Sequence, residues 1–378
     1  MKVQCPTISM ITNRSKVVSY FQCPRYRYLK YHYNGNGISR TTSTGAQDLG
    51  TSIHKGVALL LEGKMGKEEV VKLLLEEYRA SVPPSIPHYN IVLWEHLTFL
   101  EGILRVFARC RIPQLNALGA TLAVEQEKTF ALNNDITFQF RADAIIQCED
   151  GIVVVDVKPT AYGGFQFVRG WERNHQVLSY VKAAETIYDL NVLGVRIEGY
   201  LKGKRMYDAK LFGGQVKIQN SPLCYVYVNN VSGQIAPDYQ RGSEWAKMPL
   251  WETSLTPKEY IEELLTVEQC EKLFLAPIPP IAPNRERLKR WERQTVANEL
   301  RIEKAARLVE RVRVGCSEET FLRVLDEQFP QNHDSCYKYG EDYPCEMDQV
   351  CFNGQVESDP LASGLYEERR EHHEDGVE

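Results

Sequence analysis

No stretch of about 18 uncharged apolar residues occurs in this chain, which excludes a membrane-spanning helix by length. The N-terminus also lacks a basic segment followed by a long apolar run, so no signal peptide is expected. Internal repeats are absent. Together these absences lead us to expect a soluble, cytoplasmic globular protein. Ten cysteines would be kept reduced in that compartment, so a cluster among them points to a metal site rather than a disulfide framework. One further absence is local. From Met1 to Ala46 there is no acidic residue, whereas Lys2, Arg14, Lys16, Arg25, Arg27, Lys30 and Arg40 supply seven positive charges among Tyr20, Phe21, Tyr26, Tyr28, Tyr31 and Tyr33.

What is present compensates for that bias elsewhere. The tail from Glu357 to Glu378 carries eight acids against Arg369 and Arg370, so the formal net charge of -5 hides a body near +1. Such a tail is expected to be disordered. The basic, aromatic N-terminal segment has two readings: cations for phosphates beside rings for bases, or a half-buried helix with tyrosines on its core face.

At 378 residues and 43% hydrophobic content the chain can bury a full core. Helical periodicity is expected near Ser15–Tyr33, with a break at Cys23-Pro24, and again over Gly45–Leu61, Lys67–Ala80 and Ile91–Arg109. Alternation then takes over in a meander: a strand around Leu122–Glu127, a second from Ile136 to Gln147, and a third, nearly all apolar, from Ile152 to Val157. A helix after Gly170 and strands near Val195–Leu201 and Cys224–Val228 complete a mixed sheet flanked by helices, an α/β fold. Thr256-Pro257 opens another helix, Ala276–Pro283 reads as a stiff connector, and Arg285–Arg313 as a long basic helix. The expected regions are a helical one at 1–118, a core at 119–235, a helical and cysteine-bearing one at 236–356, and the acidic tail at 357–378.

Two constellations carry chemistry. Asp143 falls on one strand of the meander and Asp156-Val157-Lys158 closes the next, where alternation puts Asp156 and Lys158 on one face. Charges at the end of a very apolar strand are costly to desolvate unless paired, either by a divalent cation such as Mg²⁺ or Mn²⁺ or in a salt bridge at a sheet edge. The second is Cys336-x8-Cys345-x5-Cys351 with a lone Cys23 far upstream. On spacing alone these thiols could complete a zinc site with His333 or be unrelated buried cysteines.

The order of these features resembles that of RecB-like nucleases of the PD-(D/E)XK superfamily. Gly50-Thr51-Ser52-Ile53-His54 matches a helical G-x-x-x-H, Asp143 the first strand acid, Asp156-Val157-Lys158 the D-x-K, and Gln176-Val177-Leu178-Ser179-Tyr180 a helical Q-x-x-x-Y. The resemblance implies a restriction-endonuclease-like core and phosphodiester hydrolysis. Its metal would be held by His54, Asp143, Asp156 and the Val157 carbonyl, Lys158 would assist the water, and Gln176 and Tyr180 would line the site. It also implies that Cys23, Cys336, Cys345 and Cys351 hold a 4Fe-4S cluster tying the two ends together, as in AddB-type and CRISPR-associated members. The expected substrate is DNA, single-stranded and cut from an end, in repair, recombination or phage- or CRISPR-related processing. The alternatives are a non-catalytic DNA-binding or recombination-accessory protein of the same fold, and a zinc-stapled interaction protein. Two positions depart from the family pattern: Pro159 stands between Lys158 and Thr160, and Arg141 precedes the first acid by two. Glu125 and Glu127 on the preceding strand are assigned structural or outlying roles.

Overall fold

The computed structural model describes residues 10–41, 45–82, 89–160, 165–172, 174–201, 225–236, 242–253, 255–336, 345–353 and 359–369. The chain divides into two compact units, one formed by residues 44–128 and 141–284, the other by residues 1–43, 129–140 and 285–378. The second unit draws on both ends of the chain because each end carries only part of a core.

The first unit is built on a five-stranded mixed sheet, in the order Leu275–Ile281, Val192–Leu201, Gly151–Thr160, Ala144–Cys148, Ala120–Val124. Its central strand, Gly151–Thr160, runs antiparallel to Ala144–Cys148 and parallel to Val192–Leu201. The central position explains its run of valines, since a strand with neighbours on both sides and layers on both faces has no solvent side. Val153, Val155 and Val157 join one core with Ile53, Val57, Leu74, Leu100 and Leu104 of the helices Gly45–Glu62, Lys67–Ser81 and Tyr89–Val106. By alternation Ile152, Val154 and Asp156 point to the opposite face. A smaller antiparallel sheet, Ile235–Ala236, Tyr225–Asn229 and Trp245–Pro249, belongs to the same unit.

Several elements differ from expectation. The strand expected from Ile136 to Gln147 is two strands, Ile136–Arg141 and Ala144–Cys148, which lie in different sheets. The break falls at Ala142-Asp143, so Asp143 lies between strands rather than within one. The proline-rich stretch is not a free connector either: Leu275–Ile281 pairs antiparallel with Val192–Leu201. It tolerates its prolines because it is an edge strand. Of the expected Cys224–Val228 strand, Cys224 lies outside the described residues.

In the second unit, helices Arg14–Gln22 and Pro24–Tyr31 meet at Cys23, with Pro24 at the first position of the restarted helix. The helix Arg285–Gly315 buries Leu288, Trp291, Ile302, Ala306 and Val309 at spacings of three, four and multiples of a turn. Tyr28, Tyr33, Ile302, Phe321, Leu325, Phe329, Met347, Val350 and Tyr366 share one core. Much of the basic N-terminal segment serves this packing. Arg25 and Arg27 are each only 1% exposed. Arg25 pairs with Asp326 and donates to the Phe329 carbonyl, and Arg27 Nη2 lies 2.7 Å from Glu299, itself bonded by Thr12. Breaking a buried pair of this kind costs about 3–5 kcal/mol. The half-buried reading therefore holds for Arg25, Arg27, Tyr28 and Tyr33.

The tail is ordered in part, contrary to expectation. Tyr366–Glu368 pairs antiparallel with Ile38–Arg40, and Tyr366, 3% exposed, donates to the Glu346 carbonyl at 2.9 Å. One buried aromatic ring offsets the acid-rich composition around it.

The turn between helix Pro24–Tyr31 and strand Ile38–Arg40 holds two glycines with the same left-handed backbone, Gly35 and Gly37, both at φ 84°. A Cβ on Gly35 would meet nothing within 4 Å, whereas one on Gly37 would lie 2.0 Å from the Lys30 carbonyl oxygen. Gly35→Ala should thus cost only about 1–2 kcal/mol of backbone strain. Gly37→Ala should lose that and a further ~1–3 kcal/mol or more of steric clash. Denaturant unfolding of the two variants checks this, and equal losses would contradict the contact.

Candidate functional site

The D-x-K residues sit on the central strand, not at a sheet edge. Asp156 is 0% exposed. Its Oδ1 accepts from Lys158 Nζ at 2.9 Å, Tyr180 OH at 2.8 Å and Gln176 Nε2 at 3.1 Å. Gln176 and Tyr180 reach it together because they are one turn apart on helix His175–Tyr188, and Gln176 also donates to the Tyr180 hydroxyl at 2.5 Å. Asn174 caps that helix by accepting from the Gln176 amide. The other carboxylate oxygen, Asp156 Oδ2, is buried with no hydrogen-bond partner. Lys158 Nζ also donates to the Val157 carbonyl at 3.2 Å.

Asp143 approaches from the break between strands. The ladder between Ala144–Cys148 and Gly151–Thr160 ends at the Ala144–Val155 pair. The next amide on that side, Val157 N–H, donates instead to Asp143 Oδ2 at 2.5 Å. His54, on helix Gly45–Glu62, places Nδ1 3.2 Å from the same oxygen. Glu125 follows strand Ala120–Val124 in a left-handed conformation, φ 48°, and its amide donates to the Asp143 carbonyl at 3.1 Å. That backbone is uncommon for a residue other than glycine, asparagine or aspartate, and such strain gathers at functional sites. Ligand atoms of His54, Glu125 and Asp143 all lie within 4.8 Å of one another, close enough to share one cation.

The electrostatics follow from the crowding of acids. Burial and the Asp143 charge raise the Asp156 carboxyl against the pull of Lys158. Burial also pushes Asp143 up, but His54, Lys158 and the Val157 amide outweigh it and hold Asp143 at about 2. Glu125 is pushed up to about 7, by burial and by Asp143 beside it. His54 is lowered by burial, yet its bond to Asp143 leaves it above the usual histidine value.

The structure brings His54 to Asp143, Asp143 to the Val157 amide, and Lys158, Gln176 and Tyr180 to Asp156. Glu125, assigned a structural or outlying role from sequence, lies with His54 and Asp143. Its left-handed backbone is not marked by any residue type that favours it, so no local signal was available. Arg141, the departure from the family pattern, lies 3.2 Å from Glu125 and partly balances it.

The second constellation also converges. Cys23, Cys336, Cys345 and Cys351 line one small pocket with Tyr26, Asn332 and Met347. The Asn332 amide donates to Cys23 Sγ at 3.4 Å and the Met347 amide to Cys345 Sγ at 3.5 Å. Burial raises the Cys336 thiol, takes Cys345 to about 11 and Cys351 to about 12. His333 faces Phe352 instead, with ring centroids 5.8 Å apart. Cys110, Cys148, Cys270 and Cys316 lie away from this pocket, and Cys5 and Cys224 fall outside the described residues.

A mixed sheet with acids gathered at the end of its central strand sets hard oxygen ligands where a divalent cation can be held. A family model of the PD-(D/E)XK nuclease superfamily matches residues 13–351, and the chain belongs to that superfamily. No curated protein matches the sequence. Nucleases of this superfamily use Mg²⁺ or Mn²⁺. Among the described residues no helix is long and apolar enough to cross a membrane.

A divalent cation entering the His54–Glu125–Asp143 group must displace the protons that Glu125 and His54 retain below neutrality. Glu125, near 7, is mostly protonated at pH 6 and mostly ionised at pH 8. Affinity for Mn²⁺ should therefore rise on the order of tenfold between about pH 6 and pH 8. Calorimetry in buffers of different ionisation enthalpy should show proton release at the lower pH, reduced in Glu125→Gln. A pH-independent affinity would separate these residues from the ion.

Proposed function

We propose that this protein is a metal-dependent DNA nuclease that hydrolyses phosphodiester bonds, acting as an exonuclease on single-stranded DNA in repair, recombination or phage- or CRISPR-related processing. The observation that carries the reading is the buried, unpartnered Asp156 Oδ2, one residue from the Val157 amide that holds Asp143, which is grouped with Glu125 and His54. A lone acceptor in that setting costs about 1–3 kcal/mol, and a hard divalent cation satisfies it.

In this reading Asp143, Asp156, His54 and the Val157 carbonyl hold Mg²⁺ or Mn²⁺, with Glu125 as a further oxygen donor. The bound ion would supply Lewis-acid polarisation of the phosphate and a more acidic water. Lys158, whose Nζ reaches both Asp156 Oδ1 and the Val157 carbonyl, offsets charge at the reacting oxygen or orients the water. Gln176 and Tyr180 fix the Asp156 carboxylate through Oδ1, which leaves Oδ2 directed by the helix rather than by solvent. The ion-pair alternative accounts for the 2.9 Å contact of Lys158 with Asp156 but not for the second oxygen.

Asp143→Ala, Asp156→Ala and Lys158→Ala should each abolish cleavage of labelled oligonucleotides while the protein stays folded. Loss of a metal ligand should lower the rate on the order of a thousandfold or more, and a double variant should be hardly worse than a single one. Cleavage by Asp156→Ala near the wild-type rate would leave the triplet as an ion pair.

We further propose that Cys23, Cys336, Cys345 and Cys351 bind a 4Fe-4S cluster as a structural staple. Its support is the convergence of four soft ligands on one pocket, Cys23 over three hundred residues from the other three. Freshly purified protein should be brown, with iron and acid-labile sulfide, and any single change to serine should bleach it and lower its melting temperature. Colourless protein with stoichiometric zinc would refute the iron-sulfur assignment.

A further inference from the structure

With Arg25 and Arg27 turned inward, the positive charge of the N-terminal segment concentrates around one ring. Tyr31 ends helix Pro24–Tyr31. Lys16 Nζ lies 5.8 Å from its centroid, Arg27 Cζ 5.3 Å and Arg369 Cζ 4.6 Å. Burial raises the Tyr31 hydroxyl's pKa, and Arg369, Arg27 and Arg14 all pull against it, so Arg14 shares this neighbourhood. Arg369 is brought here by tertiary structure: it follows strand Tyr366–Glu368, and its amide donates to the Gly37 carbonyl at 2.9 Å.

The acids nearby are largely committed. Glu299 pairs with Arg27 at 2.7 Å, Glu303 with Arg307 at 2.7 Å, and Glu346 with Lys30 at 2.6 Å. Among the described residues no ion pair joins Arg14 or Arg369 to an acid. Two guanidinium nitrogens, Arg14 Nε and Arg27 Nη1, are moreover buried without a hydrogen-bond partner. Buried donors are nearly always satisfied. His32, buried beside Arg27 and Lys16, is held well below the usual histidine value by burial and by those two charges. The cluster thus carries positive charge and unsatisfied N–H groups together, the pair of properties that a tetrahedral oxyanion answers.

We propose that the Arg14–Lys16–Arg369 cluster around Tyr31, backed by the buried charge of Arg27, binds a phosphate group of a nucleic-acid strand. The proposal rests on the nuclease reading for its choice of partner. A strand is favoured over a free anion because the cluster continues into a surface suited to bases. Tyr20 lies one turn from Lys16, Arg301 stacks over it at 5.5 Å, and the adjacent Phe21 is 52% exposed. Exposed rings beside cations stack unpaired bases with little sequence preference.

The test uses full-length protein and a fluorescent single-stranded oligonucleotide in EDTA, so that binding is read without cleavage. Arg14→Gln/Arg369→Gln should bind on the order of tenfold more weakly, with a log-affinity against log-salt slope shallower by about one. Arg14→Lys/Arg369→Lys should recover most of the slope. Thermal melting guards against misfolding. Unchanged affinity and slope would overturn the proposal. So would an inorganic-phosphate arm in which calorimetry finds phosphate bound through these arginines while oligonucleotide affinity is unaffected, since the site would then serve free anions. Binding in EDTA is scored apart from cleavage, so a wild-type protein that binds there but does not cut once Mg²⁺ or Mn²⁺ is supplied would sink the nuclease reading and leave this site standing.

Discussion

A carboxylate buried in the centre of a parallel-antiparallel sheet sets the terms for the nuclease-core unit. Asp156 cannot be solvated there, and a bare carboxylate in such surroundings would cost several kcal/mol. Three donors on Oδ1 reduce that cost, and each has a structural consequence. Lys158 must share its strand face, Gln176 and Tyr180 must be one turn apart, and the helix carrying them must start where Asn174 caps it. The end of the Ala144–Val155 ladder belongs to the same logic. By leaving the Val157 amide unpaired on that side, it lets Asp143 accept from it and so sit near Asp156.

Much of this was legible because alternation and helical spacing act over short ranges. The apolar run Ile152–Val155 required a central strand, so Asp156 and Lys158 had to share a face at its end. Gln176 and Tyr180 were likewise bound to one helix face. What escaped was decided by partners distant in sequence. Nothing around Ala142-Asp143 signals a strand that changes sheets, and no residue type at Glu125 signals a left-handed backbone. The prolines of Leu275–Ile281 read as a connector because only knowledge of the edge position permits them in a strand. The acid-rich tail read as disordered because Tyr366 finds its place only against Ile38–Arg40 and Glu346.

The basic N-terminal segment shows how one composition serves two ends. Arg27 neutralises the buried Glu299, the buried Arg25 reaches the exposed Asp326, and Tyr28 and Tyr33 fill the core, so cations next to rings are here first a packing device. That core includes both Tyr28 and Tyr366. In the proposed assignment, a cluster held by Cys23, Cys336, Cys345 and Cys351 would tie residues from both ends of the chain together beside it. The N–H groups aimed at Cys23 and Cys345 would also stabilise thiolates that burial alone disfavours.

Two buried charges in this protein are handled differently, and the contrast separates structure from function. Glu299 is 1% exposed, and its Oε2 accepts from both Arg27 and Thr12, so that the attraction offsets desolvation. Asp156 is equally buried, but only one of its oxygens is answered. A site shaped by stability alone would favour an apolar residue of similar volume, or a donor for the second oxygen, since either avoids a loss of about 1–3 kcal/mol. The open oxygen persists beside Asp143, His54 and a strained Glu125, whose repulsion and backbone strain act in the same unfavourable direction. A positive charge near these groups would offset the mutual repulsion of the acids and answer the open oxygen. In the proposed reading, resting stability is partly given up to hold a cation where phosphate chemistry needs it.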